Sequence, residues 1–496
     1  MIEGFYNHPC IVMWVPFNEG WGQFDTPRIV NLIKTLDPTR LVDNASGWAD
    51  RKVGDVNDIH SYPGPAAPRK EENRAIVLGE FGGLGLPLKG HTWQDEKNWG
   101  YRTYRNADEL TDAYLILLDK LHPLTGSAGL SAAVYTQTTD VEVEVNGLMT
   151  YDRAVIKMDA KLISDAAKKL YTPPPQRVSQ GTKLVPPSTP LIACDPYFSI
   201  WSPADNLTDV NTVHWTGRQQ SICGLVRIDG KPFRVIGAEP RRFPTLEQKN
   251  LTVLPTRTIY EFEGSGIGLT LTFMTPALPD DVDILSRPVT YIEWETKSLD
   301  GAEHTVDVYF DATAELTVNQ TSQEVVWSVE KFKQVDALKI GSKDQPILAK
   351  KGDDVRIDWG YLYVSAPMGV ASAKTIASAF DCRTAFGKGQ DLPSIDENQP
   401  RQVRDNTPAA AMTISFGKVG KKPIQKWLMV AYDDLYSIQY MKKNLRPYWR
   451  RNGWEAEDLL NASAKEYEQL KKRCVAFDDE LMSDLKKAGG EKYAKI

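Results

Sequence analysis

Residues 7 to 19 read Asn7-His8-Pro9-Cys10-Ile11-Val12-Met13-Trp14-Val15-Pro16-Phe17-Asn18-Glu19, an apolar run that closes on an amide and a carboxylate. Such a run is expected to be a buried strand opening into a loop, with Glu19 at its carboxyl end. A second run, Ala75-Ile76-Val77-Leu78-Gly79, closes on Glu80 in the same way. Helical sequence lies between them: Thr26-Pro27 is a helix start, Ile29, Ile33 and Leu36 follow at helical spacing, and Asp37-Pro38 stops it. Strands alternating with helices imply a parallel sheet, and enzymes built as barrels of such units keep their chemistry at the carboxyl ends of the strands.

The alternation continues to about residue 170. Leu41-Val42 and Val56 to Ile59 read as short strands. Asn106 with Glu109 is a capping-box pattern opening a helix whose stripe is Leu110, Tyr114, Leu117, Leu118 and Leu121. Leu130 to Tyr135 reads as a strand, and Lys157 to Leu170 as a helix with Leu162, Ile163, Ala166 and Leu170 on one face.

Composition then changes. Residues 171 to 190 hold Pro173, Pro174, Pro175, Pro186, Pro187 and Pro190 with no acidic residue, as expected of a semi-rigid extended linker. From 191 to 455 the signals are almost all strand-like: Ser221 to Ile228 before the turn Asp229-Gly230, then Thr256 to Phe262, Ile267 to Phe273, Thr290 to Glu295, Thr305 to Phe310 and Tyr361 to Val364. Spaced strands with Gly, Pro and Asp turns indicate a sandwich. From 456 to 496 helical periodicity returns through Leu460, Tyr467, Leu470, Cys474, Phe477, Leu481 and Leu485, and Gly489-Gly490 breaks it.

Bulk properties exclude more than they identify. The 496 residues suit several domains, and 59 basic against 65 acidic residues, without a block of like charge, favour neither nucleic acid nor an anionic membrane. No stretch of about 18 apolar residues occurs, and the first twenty residues lack a charged start followed by an apolar segment. The five cysteines, at 10, 194, 223, 382 and 474, lack metal-site or redox spacing and read as core residues. No metal or cofactor is expected.

Retaining hydrolysis of a glycosidic bond needs one carboxyl group to protonate the leaving oxygen and another to attack the anomeric carbon, about 5 to 5.5 Å apart. Two strand-end glutamates meet that demand, although in a chain with 65 acidic residues spacing alone does not separate them from solvated loop carboxylates. The residues add to this. Asn7-His8-Pro9, Trp14 through Glu19, Ile59-His60-Ser61-Tyr62-Pro63 and Leu78-Gly79-Glu80-Phe81-Gly82-Gly83 resemble, in order and spacing, the catalytic barrel of glycoside hydrolase family 2, the β-galactosidase, β-glucuronidase and β-mannosidase group.

That resemblance implies Glu19 as general acid/base, Glu80 as nucleophile, Asn18 as partner of the sugar 2-hydroxyl and Tyr62 as a phenol orienting the nucleophile. The implied substrate is a β-glycoside. Trp21 and Trp48 are candidates for stacking on sugar rings, with packing the alternative, and His60 for binding a hydroxyl, with a structural histidine the alternative. At the last barrel strand, where relatives often carry tryptophan, this chain has Ala133-Val134-Tyr135-Thr136-Gln137-Thr138-Thr139-Asp140, which leaves the sugar open. Asp140, Glu142 and Glu144 alternate along an extended stretch and read as a solvated face rather than a calcium site. The resemblance begins at the fourth barrel strand, so residues 1 to 170 are expected to form strands four to eight of a TIM barrel, with an open edge suited to self-association.

Residues 191 to 496 resemble glutaminase A-like proteins of bacteria and fungi. The matching stretches are Asp195 through Ser202, His214-Trp215-Thr216-Gly217, Phe273-Met274-Thr275-Pro276 leading to Ser286 through Tyr291, and Ala431 through Ile438. The resemblance implies a β-domain followed by the start of a helical toroid. Within it Asp195, His214, Asp433 and Asp434 read as turn and strand-end residues, and Trp201 and Trp215 as core aromatics. The sequons at Asn206, Asn250 and Asn319 are short enough to arise by chance.

The expected whole is multidomain: a partial α/β (TIM) barrel, then an all-β sandwich and a C-terminal helix. Its expected activity is that of a retaining β-glycosidase of β-galactosidase type, in incomplete form. The alternatives are a non-catalytic accessory sandwich with an inert barrel remnant, and a glutaminase fragment. Relatives of both halves are commonly periplasmic or secreted.

Overall fold

The computed structural model describes residues 1 to 174 and 186 to 494. The chain divides into two compact units, Met1–Gly181 and Thr182–Ile496. The middle of the proline-rich segment, 175 to 185, lies outside the described residues.

The first unit is organised by a three-stranded parallel sheet in which Ala75–Gly82 lies between Val56–Ser61 and Leu130–Thr136. Ile76, Val77 and Leu78 are buried because the central strand is covered on both faces, which is why it reads as a continuous apolar run. The register shifts where the strands approach their ends: Ile59 faces Leu78 but His60 faces Glu80, leaving Gly79 as the extra residue of a bulge. A Cβ there would lie 2.1 Å from Asp58 Oδ2, so only glycine fits. The bulge turns Glu80 toward His60, a common use of this irregularity beside active sites.

The helix Ala107–Ser127 starts as expected, with the Asn106 side chain accepting from the Glu109 amide, and its stripe of Leu110, Tyr114, Leu117, Leu118 and Leu121 packs in one core with Ile76, Leu78, Phe81 and Leu130. The later helix is shorter than expected, Ala160–Lys169, capped by Asp159. Lys157 precedes it as a buried cation whose Nζ lies 2.6 Å from Asp140 Oδ1 and 2.9 Å from the Val145 carbonyl. Asp140 is therefore no part of a solvated face. Its partner is an internal lysine, and only Glu142 of the alternating acids is exposed.

The opening run also differs from expectation. Only Met13–Trp14 forms a ladder, parallel to Leu41–Val42, and Val12 and Val15 are exposed. Pro16 lacks the N–H that would extend the ladder. Among the described residues no other strand pairs with this segment, and the ladder is separate from the three-stranded sheet. The chain still reaches a defined position, because the Glu19 amide donates to the Ser46 carbonyl at 2.7 Å.

In the second unit a nine-stranded and a five-stranded antiparallel sheet share one core. The larger contributes Leu271, Phe273, Trp294, Ile340 and Leu362, and the smaller contributes Val226, Val308, Phe310, Met412 and Ile414. The tight turn between Ile222–Ile228 and Lys231–Ile236 needs left-handed backbone at both Asp229 and Gly230, which an Asp-Gly pair supplies. The other face of the larger sheet, through Tyr291, Tyr363 and Met429, packs under the helix Ala456–Ala494. That helix contributes Leu459, Leu460, Tyr467, Leu470 and Cys474, while Leu481 and Leu485 lie beyond the buried stripe, and Gly490 interrupts it with a φ of 80°.

Two aromatic expectations fail here. Trp201 is half-buried, and Trp215 is exposed because it sits in the His214–Gly217 turn, where its indole N–H donates to the Pro196 carbonyl. Of the cysteines, 223, 382 and 474 are buried, but Cys194 is half-buried and Cys10 exposed. Among the described residues no helix is long and apolar enough to cross a membrane.

Candidate active site

Glu19, His60 and Glu80 converge, each offering an atom within 4.8 Å of the others. Glu19 lies past Asn18, which bridges to Ser46, and its backbone adopts a φ of 58° that swings the side chain off the strand direction. His60 and Glu80 come from adjacent parallel strands. The imidazole Nδ1 sits 3.0 Å from Glu19 Oε1 and 3.4 Å from Glu80 Oε2. Its side chain is only 4% exposed, against 24% for Glu19 and 29% for Glu80, so the carboxyl groups face outward over a buried ring.

Tyr62, which follows the neighbouring strand, joins Glu80. Its phenol donates to Glu80 Oε2 and lies 3.0 Å from Thr136 Oγ1 on the third strand. Burial, then the hydrogen bond to Glu80, pushes the Tyr62 phenol well above its ordinary range, so it remains a donor. Tyr101 stacks on Tyr62 with ring centroids 3.8 Å apart and planes 2° from parallel. Its phenol is raised first by burial and then by the charges of Glu144, Glu80 and Glu19, which places it against the same carboxylates.

Below the ring the polar groups continue inward. Ser46 Oγ lies 2.8 Å from His60 Nε2 and 3.1 Å from Asp58 Oδ2, and Asp58 Oδ1 accepts the Gly79 amide at 2.6 Å. Asp43, buried beside Asp58, is pushed up to about 8 by burial first and then by the hydrogen bond and charge of Asp58. Gly47, at a φ of 88°, leaves room for the imidazole, since a Cβ there would lie 2.7 Å from it.

The remaining sequence candidates are more peripheral. Trp21 is 75% exposed and Trp48 54%, and they meet edge to face at 6.3 Å. Asn18 is exposed, with its backbone held at Ser46. Ser46, Asp58, Asp43, Tyr101 and Thr136 were not singled out by sequence reasoning. Asp58, two residues before His60 in a strand, had the one readable signal: a carboxylate alternating with the candidate His60 along the same strand, at i and i+2.

Chemically, Glu19, His60 and Glu80 also form a donor set for a divalent cation. In this structure the same atoms contact one another, Nδ1 with both carboxylates and Glu80 with Tyr62.

Residues 1 to 72 match the family described as glycosyl hydrolases family 2, TIM barrel domain, a span that includes Glu19, His60 and Tyr62 and ends before Glu80. Residues 165 to 246 and 256 to 484 match two domains of unknown function, DUF4964 and DUF5127. Glutaminase A of Aspergillus oryzae is 23% identical over 325 residues, covering 63% of this chain and 46% of that protein. The chain thus spans about half the length of that curated relative. Two solved structures overlap weakly. One, solved under the name of a kojibiose phosphorylase from the human microbiome, has a TM-score of 0.29 at 8% identity, over 56% of this chain and 30% of that one. The other, heparan sulfate lyase HepC from Pedobacter heparinus, has a TM-score of 0.19 at 7% identity, over 38% and 22%. Overlaps of that size carry no weight for fold or chemistry.

Proposed function

We propose that the first unit is the carboxyl-terminal part, strands four to eight, of a TIM-barrel retaining β-glycosidase, acting on O-glycosyl bonds of a carbohydrate. The observation that carries this reading is the approach of Glu19 and Glu80 within 4.8 Å, close to the separation that a covalent glycosyl-enzyme mechanism requires. The family 2 match over residues 1 to 72 supports it independently.

In the first step Glu80 attacks the anomeric carbon while the glycosidic C–O bond breaks, and Glu19 passes its proton to the departing oxygen. In the second step Glu19 takes a proton from water, the water oxygen bonds to the anomeric carbon, and Glu80 leaves. Tyr62 donates to Glu80 and aims it, while Asn18 meets the sugar 2-hydroxyl and Trp21 and Trp48 stack on sugar rings. The assay is aryl alcohol release from β-galactoside, β-glucoside, β-mannoside and β-glucuronide probes. Release from at least one is expected, and silence across all four would refute the reading.

For the second unit the match to glutaminase A favours a separate proposal: a glutaminase A-like β-domain over 191 to 455, followed by the first helix of its toroid over 456 to 496. Ammonia release from glutamine by the purified chain tests whether activity accompanies that likeness.

A further inference from the structure

The buried groups beneath His60 fix which of its nitrogens carries the ring's ordinary proton. Asp58 accepts twice, from the Gly79 amide at Oδ1 and from Ser46 Oγ at Oδ2. Both carboxylate oxygens of Asp58 are therefore taken up as acceptors, and the Ser46 hydrogen is committed to Oδ2. A serine whose hydrogen points to Asp58 can only accept from His60 Nε2, 2.8 Å away. The Nδ1 side, facing Glu19 at 3.0 Å and Glu80 at 3.4 Å, then holds either a bare lone pair against two carboxylates or one additional proton.

We infer that Asp58 and Ser46 are positioning residues for general acid catalysis: by holding the Nε2–H tautomer, they place an extra proton between His60 Nδ1 and Glu19 Oε1. This rests on the glycosidase reading of the site. The opposite tautomer would satisfy Glu19 with the ring's own N–H and leave it a carboxylate with nothing to donate. The extra proton is the one transferred from Glu19 to the leaving oxygen, and water returns it in the second step.

The test is Asp58→Asn, assayed with substrates that differ only in the leaving group. Asparagine retains an oxygen for the Gly79 amide and turns an N–H toward Ser46, which reverses the Ser46 hydrogen and the His60 tautomer. For an unactivated phenyl or alkyl β-glycoside, kcat/KM is expected to fall about 10²-fold, the scale of general acid catalysis. For the 2,4-dinitrophenyl glycoside, whose leaving group needs no proton, the change is expected to stay within roughly threefold. Ser46→Ala, a small change at a half-buried position, is expected to show the same split at lower amplitude, and it keeps the test open where the Asn variant does not fold. Equal losses on both substrates, or no loss on either, overturn the inference while leaving the glycosidase reading intact. A wild-type chain inactive on both substrates overturns the two together.

Discussion

Buried carboxylates are handled differently in the two units. In the second, Asp311 is gripped by Arg383 at 2.7 and 2.8 Å, Asp433 by Arg450, and Asp478 by Arg257 at 2.7 Å. Glu315, which has no such cation, is held by the Ser221 amide, Gln219 and Thr313. The first unit has pairs of that kind, Asp140 with Lys157 and Asp37 with Arg40, but they stand apart from the cluster where Asp43 meets Asp58 and where Glu19 and Glu80 share one imidazole. Matched charge serves stability, whereas like charge held close is a pointer to function only beside a site, since the second unit holds such a group too: Asp434, pushed up to about 6 by burial first and then by the charges of Asp195 and Asp433.

The largest effect that would break this contrast lies in the first unit. Glu80→Ala should lower glycoside turnover by roughly 10⁴-fold or more, the scale seen when a catalytic nucleophile is removed, with partial recovery in azide. A residual rate near wild type would remove Glu80 from the mechanism. In the second unit Arg383→Ala should cost about 3 to 5 kcal/mol, because Asp311 is left buried and unpaired beside Tyr309, and denaturant unfolding reads this directly. Replacing both partners together should cost much less.

Asp43 in the first unit and His214 in the second should contribute opposite trends of stability against pH. Asp43, raised to about 8 when folded, binds a proton there that the unfolded chain has lost above its ordinary value near 3.8, so the first unit should lose stability as pH rises through that window. His214, lowered to about 4 by burial, stays neutral when folded while the unfolded chain protonates below about 6.5. His214 should therefore cost the second unit stability as pH falls from 6.5 toward 4, while Asp434, pushed up to about 6 mainly by burial, contributes in the opposite sense. Asp43→Asn should flatten the first trend, and His214→Gln the second, in thermal melts across pH. The smallest effects belong to Trp21→Ala and Trp48→Ala, which should raise KM by about three- to tenfold each, as expected for loss of an exposed stacking contact worth about 1 kcal/mol. An unchanged KM would return both to surface packing.

Much of the frame was legible. The Asn106 cap, the leucine stripe after it and the turn at Asp229-Gly230 follow from local rules, because each depends on neighbours within a few residues. Glu80 was readable as a strand end, and Tyr62 by resemblance. Pattern misled where burial depends on distant partners. The run ending at Glu19 is only briefly a strand because its pairing is so short, and Asp140 is buried because Lys157 reaches it from seventeen residues away. Trp215 is exposed because a turn holds it outward.

The sequence by itself determined the strand that carries Glu80, the helix between Glu19 and Glu80, the strand-rich second half and the resemblance that ties the two glutamates together. Those depend on periodicity and order along the chain. Only the tertiary structure decided that a bulge at Gly79 sets Glu80 opposite His60, that the imidazole touches both carboxylates, and that Ser46, Asp58 and Asp43 continue the polar chain beneath it. Such hydrogen bonds arise from atoms tens of residues apart meeting within about 3 Å, and no local pattern encodes that meeting.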